Sequence, residues 1–201
     1  MIAKTIWTCC VFFWSLTYIL LVVYMVKYKT IGIPVIAMLG NFAWEFNLMM
    51  SYREDVFQIL TLDGTIWCLL DVAVILAYLF NCIHEKKTQK ILLFICGLIV
   101  YSLLMYVVFL PGEHRLILLA SLFLDFIMAS AFLLYVIDKR ILPNNLAVVI
   151  GFSRMLGDLT AWFANPSHPV ISFNGKIVFC YNLVYLIFLI RQNREYRKKA
   201  P

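Results

Sequence analysis

Glu45 stands in Leu39-Gly40-Asn41-Phe42-Ala43-Trp44-Glu45-Phe46, a run apolar enough to be embedded in a membrane. An ionisable carboxylate there is expensive and marks function by default. The neighbouring Trp44, Phe42 and Phe46 desolvate the carboxyl and favour its neutral form, and a protonated acid at neutral pH is what a general acid needs. Asp71, Asp125, Arg154 and Asp158 also lie within apolar runs, and Asn41 and Asn182 add amides. Arg154 and Asp158 are spaced i,i+4, so a structural ion pair along one helix is as good a reading as a functional one. Asp71 and Asp125 equally suit hydrogen bonds between helices. Trp44, Trp67 and Trp162 fit either membrane-interface anchors or cavity walls, and Asp63, ahead of an apolar run, reads as a helix cap.

Other chemistries find little support. His84, His114 and His168 fall in predicted loops without metal-ligand spacing, so neither a metal site nor a cofactor is expected. The six cysteines are scattered, with no C-x-x-C or C-x-x-H spacing, and read as small apolar fillers.

The elements that must position these residues are membrane helices. The chain has 201 residues, 64% hydrophobic and only 14% charged, whereas a soluble domain is roughly 45–50% apolar and about 25% charged. Its charges cluster between apolar runs near the ~20 residues a helix needs to cross ~30 Å of hydrocarbon. Alternating segments of about ten residues, the signature of a spanning β-barrel, do not occur. The pattern predicts an all-α polytopic membrane protein, a bundle of seven transmembrane helices over about 5–26, 34–50, 62–82, 91–110, 116–137, 143–163 and 170–190. The expected organisation is one membrane domain, 1–190, followed by a basic tail, 191–201. The first apolar run follows only Lys4 and has no small-residue cleavage site, so it reads as a retained helix.

The net charge of +6 sits at the ends of apolar runs, where it orients helices, and nucleic-acid binding is not expected. Twelve lysines and arginines follow the odd-numbered predicted helices, against Lys4, Arg53, Arg115 and Lys176 on the other side. That bias predicts a cytoplasmic C-terminus and an N-terminus outside or in a lumen. With directions set, the rise per residue places Glu45 at ~10 Å depth, Asp71 at ~12 Å, Asp125 at ~13 Å, Arg154 at ~15 Å and Asp158 at ~9 Å. Ionisable groups from four helices at one level predict a shared polar cavity.

Gly40-Asn41-Phe42-Ala43-Trp44-Glu45 resembles the helix-2 signature (G/C)-N-x-A-W-E of the integral-membrane terpene cyclases of fungal indole-diterpene and meroterpenoid pathways, which have bacterial relatives. Tyr28-Lys29-Thr30-Ile31-Gly32-Ile33-Pro34 is similar to that family's entry into helix 2, and Gly151-Phe152-Ser153-Arg154-Met155-Leu156-Gly157 to its S-R-x-L-G stretch. Tyr181-Asn182-Leu183-Val184-Tyr185 sits where its last helix lies. The resemblance implies a seven-helix enzyme that folds a linear, often epoxidised isoprenoid and starts a carbocation cascade by protonation, with Glu45 as the acid. It implies a metal-free reaction, in keeping with the lack of any D-D-x-x-D or D-x-D-D run that would hold Mg²⁺ on a diphosphate. Where the family carries a second acid in the last helix this chain has Asn182, so Glu45 works either alone or with Asp158 or Asp71 as its relay. Asn41, Trp44, Trp67, Asp125, Arg154, Trp162, Tyr181 and Asn182 are the expected substrate contacts.

The partners implied are a prenylated substrate, the lipid bilayer and a neighbouring prenyltransferase and epoxidase. The expected location is the endoplasmic reticulum membrane in a eukaryote or the plasma membrane in a bacterium. Two other classes fit the polar layer. One is a small seven-helix transporter with a midplane site, although the first and last three helices show no self-similarity. The other is a non-catalytic lipid-binding homologue.

Overall fold

The computed structural model describes residues 2–50, 58–84, 88–109, 114–138, 140–164 and 169–199. These form seven helices: α1 (Ile2–Tyr28), α2 (Val35–Met50), α3 (Gln58–His84), α4 (Thr88–Phe109), α5 (His114–Ile137), α6 (Asn145–Ala164) and α7 (Pro169–Lys199). No strand occurs among the described residues. Six helices carry stretches long and apolar enough to cross a membrane: Thr5–Tyr28, Gly64–His84, Thr88–Val107, Leu119–Ile137, Asn145–Ala164 and Ser172–Lys198. The other, α2, has 16 residues and spans about 24 Å, short of the ~30 Å hydrocarbon thickness.

The boundaries depart from the sequence reading in two informative places. Because α3 starts at Gln58, Asp63 lies inside a helix and does not cap it. The basic run after Ile190 continues α7 as helix to Lys199. Side-chain contacts account for that continuation: Gln192 Nε2 donates to the Val136 carbonyl (2.7 Å), Asn193 Nδ2 donates to Asn145 Oδ1 (3.0 Å), and Arg191 pairs with Glu195 one turn on (3.1 Å). The Arg53-Glu54-Asp55 cluster and the loop carrying His168 lie outside the described residues.

The chain packs as two units, one of residues 1–33 and 129–201 and the other of 34–128. In the first, α6 lies against both α1 and α7. Its connections are tied by two tyrosines, the buried Tyr24 donating through Oη to the Leu142 carbonyl and the half-buried Tyr135 to the Ile31 carbonyl, each at 2.9 Å. Lys29 ends α1 in the left-handed region (φ 48°), the usual C′ geometry of a helix, and Gly32 brings the backbone against the Tyr24 ring. Asn144 caps α6 by accepting from the Ala147 N–H (2.9 Å).

In the second unit α2 packs against α3 and α4. At Gly40 the backbone comes close to side chains of α5 and α4: a Cβ there would stand 2.5 Å from Leu124 Cδ1, which would have to shift, and 3.3 Å from the Tyr101 ring. The glycine of the helix-2 motif thus marks a close approach, set directly beside Asn41.

Candidate active site

Asn41 and Glu45 lie one turn apart on α2 and share a face. Asn41 Nδ2 donates to Asp71 Oδ2 of α3 at 3.0 Å, both side chains being buried. Glu45 is 4% exposed and Asp71 fully buried. Cys68, three residues before Asp71 and so on the same side of α3, is buried as well. The α2–α3 unit thus gathers two carboxyls, an amide and a thiol in a buried group. Asp71 Oδ1 has no hydrogen-bond partner among the described residues.

The aromatic residues of the motif divide. Phe42 and Phe46 stack on each other (centroids 5.9 Å apart), and Phe46 is 38% exposed, so that pair flanks the acid on one side. Trp44 is half-buried on the other flank, while Trp67 is buried on α3. Asp125 is half-buried on the stretch of α5 that belongs to the same unit.

The unit built on α1, α6 and α7 holds a second polar group. Asn182 Nδ2 of α7 donates to Asp158 Oδ2 of α6 in a short hydrogen bond, and the Trp14 indole of α1 acts on the same carboxyl. Gly157 makes the indole's approach possible, since a Cβ there would stand 2.8 Å from Trp14 Cδ1. Asn182 Oδ1 is buried without a partner among the described residues. One turn before Asp158, Arg154 lies at 2% exposure with its guanidinium Cζ 3.9 Å from the Phe132 ring centroid and 5.9 Å from that of Tyr185. Phe132 and Tyr185 meet edge to face at 5.8 Å. The i,i+4 spacing puts Arg154 and Asp158 on one face of α6. Ser153 Oγ donates to the Phe13 carbonyl of α1 at 2.8 Å.

Glu45, Asp71, Asp125 and Asn41 belong to one packed unit, and Arg154, Asp158 and Asn182 to the other. Trp162 packs on Gly175 of α7, where a Cβ would stand 2.6 Å from Trp162 Cγ, and stacks on Phe163. Tyr181 is half-buried next to Asn182. Four participants escaped the sequence reading. Cys68 was signalled by its i,i+3 spacing to Asp71 and Tyr185 by its i,i+3 spacing to Asn182, but nothing in the sequence announced Trp14 or Phe132, which come from elements far along the chain.

Six membrane-length apolar helices define an integral-membrane protein, and carboxyl–amide hydrogen bonds join α2 to α3 and α6 to α7. The chain belongs to the Pyr4-like transmembrane terpene cyclases, whose family model matches residues 1–165. The match takes in Glu45, Asp71, Arg154 and Asp158 and ends before α7. No curated protein and no solved structure matches the chain.

Proposed function

We propose that this membrane terpene cyclase starts ring closure by protonating a linear isoprenoid chain, at a terminal epoxide or alkene, with Glu45 as the acid. The observation that carries the reading is the buried Glu45 on the same helical face as Asn41, whose amide is hydrogen-bonded to Asp71. Protonation of an epoxide oxygen opens its C–O bond to a carbocation. Alkenes of the chain attack in turn, and loss of a proton from the last cation ends the cascade, so that product and substrate are isomers. The acid is regenerated when the lost proton returns to Glu45, and on this reading Asp71, whose hydrogen-bond partner Asn41 shares the face of Glu45 on α2, relays it.

The reaction needs an acid, an apolar mould and aromatic faces that tolerate passing positive charge. The chain supplies 16 Phe, 11 Tyr and 5 Trp, and lacks the aspartate runs that hold Mg²⁺ on a diphosphate. On this reading it works without a metal ion. The substrate contacts proposed with Glu45 are Asn41, Trp44, Trp67 and Asp125, all of its own unit.

The Lys/Arg bias supports seven crossings with the C-terminus in the cytoplasm. It fits the endoplasmic reticulum of a eukaryote or the plasma membrane of a bacterium, with a prenyltransferase and an epoxidase supplying the substrate. The test is turnover of farnesylated and epoxyfarnesylated aromatic acceptors by purified protein. Glu45→Gln keeps size and hydrogen bonding but has no proton to give, and a loss of at least about 10²-fold is expected. Full activity of that variant overturns the assignment.

A further inference from the structure

In the unit that contains α1, α6 and α7, the tertiary structure brings together the ends of several elements. Tyr24 ties α1 to Leu142, Tyr135 ties α5 to Ile31, Gln192 ties α7 to the Val136 carbonyl, and Asn193 and Arg197 of α7 both bond Asn145 at the start of α6. One end of this unit is thereby assembled from the C-terminal ends of α1, α5 and α7 and the N-terminal end of α6. It is strongly basic. The last two turns of α7 contribute Arg191, Arg194, Arg197 and Lys198, while α1 and its exit add Lys27 and Lys29, and the exit of α5 adds Arg140. Asp138 and Glu195 are the acids among the described residues there, paired with Arg140 and Arg191 at 3.1 Å each.

We propose that this end is a binding surface for the headgroups of anionic membrane phospholipids. Arg191, Arg194 and Lys198 fall at i, i+3 and i+7, so they share one face of α7, and all three are exposed. Like charges at such spacings repel, and neither Arg194 nor Lys198 has an acidic partner among the described residues. The contacts from Gln192, Asn193 and Arg197 spend the opposite side of the helix on α5 and α6, which holds the charged face outward in a fixed row. The row begins where the apolar part of α7 stops, at Ile190, and the half-exposed Tyr196 stands among the charges. Basic side chains with an aromatic at the end of a membrane helix lie at headgroup depth, and the anion present there in quantity is lipid phosphate. A cationic face this close to the bilayer meets lipid before it meets a soluble polyanion. The surface is independent of the chemistry proposed for Glu45.

The test uses the full chain in nanodiscs of phosphatidylcholine alone or doped with phosphatidylserine, read by thermal unfolding and by the lipid retained on the purified protein. The unfolding temperature of the unmodified protein rises in doped discs, and the rise shrinks with added salt. The combined change Arg191→Gln, Arg194→Gln and Lys198→Gln, all at exposed positions, lowers phosphatidylserine retention by about tenfold or more. Lys176→Gln, an exposed cation near the other end of α7, leaves retention unchanged, and Arg191→Lys with Arg194→Lys keeps it. The proposal is overturned if the triple variant retains phosphatidylserine as the parent does, or if doping shifts neither protein. It is equally overturned if inorganic phosphate added to phosphatidylcholine discs reproduces the whole shift.

Discussion

Asn182 of α7 donates its side-chain N–H to Asp158 of α6, so an amide and a carboxyl on neighbouring helices form one partly buried hydrogen-bonded pair. Asn182 thus holds a carboxyl of the helix beside it. Asn182→Leu removes the donor from a half-buried carboxyl, and a loss of about 1 kcal/mol is expected in thermal or denaturant unfolding in detergent. Asp158→Asn leaves an amide that still accepts from Asn182 and is expected to cost less. A double-mutant cycle over the two positions should return a coupling of about 1 kcal/mol. Additive effects would show that the pair contributes nothing to stability.

The Asn41–Asp71 bond supports a parallel expectation in the other unit. With Asp71 Oδ1 lacking a partner among the described residues, Asn41→Leu takes away the amide donor to Oδ2 and should destabilise the protein by about 1–3 kcal/mol. Replacing both partners, Asn41→Leu with Asp71→Leu, removes the unsatisfied group and should recover much of that loss. Cyclisation should not recover with it if Asp71 relays protons to Glu45. A double variant both stable and fully active would remove Asp71 from the mechanism.

Gly157 determines whether the Trp14 indole can reach Asp158. Gly157→Ala gains about 1 kcal/mol in helix propensity but drives a methyl into the indole edge, an overpacking that costs roughly 1–3 kcal/mol. A net loss of stability is expected. Trp14→Leu in that background should turn the alanine from harmful to neutral or helpful. If Gly157→Ala alone stabilises the protein, the indole does not sit over the glycine.

Much of the fold was legible because membrane insertion leaves a coarse signal. A spanning helix must satisfy its own backbone in hydrocarbon, so apolar runs of sufficient length declare their secondary structure without tertiary help. All seven helices appear where those runs lie. The exceptions have local causes. α2 is short of a full crossing within the described residues, and α7 outlasts its apolar run because Gln192, Asn193 and Arg197 find partners on α5 and α6. Composition cannot foresee such contacts, which join positions far apart in the chain.

At the site, the same division holds. The sequence by itself determined that Glu45, Asp71, Arg154 and Asp158 lie within apolar helices, since a charge in such a run is conspicuous, and the helix-2 motif determined the family. Depth along a helix followed from the rise per residue, but the rotation of each helix and its choice of neighbour did not. Only the tertiary structure decided that Asn41 bonds Asp71, that Asn182 bonds Asp158, and that Arg154 lies on the Phe132 and Tyr185 rings. The reason is physical: in a chain whose helices are apolar nearly all round, periodicity marks no buried face, and packing at residues such as Gly40 and Gly157 selects which polar groups meet.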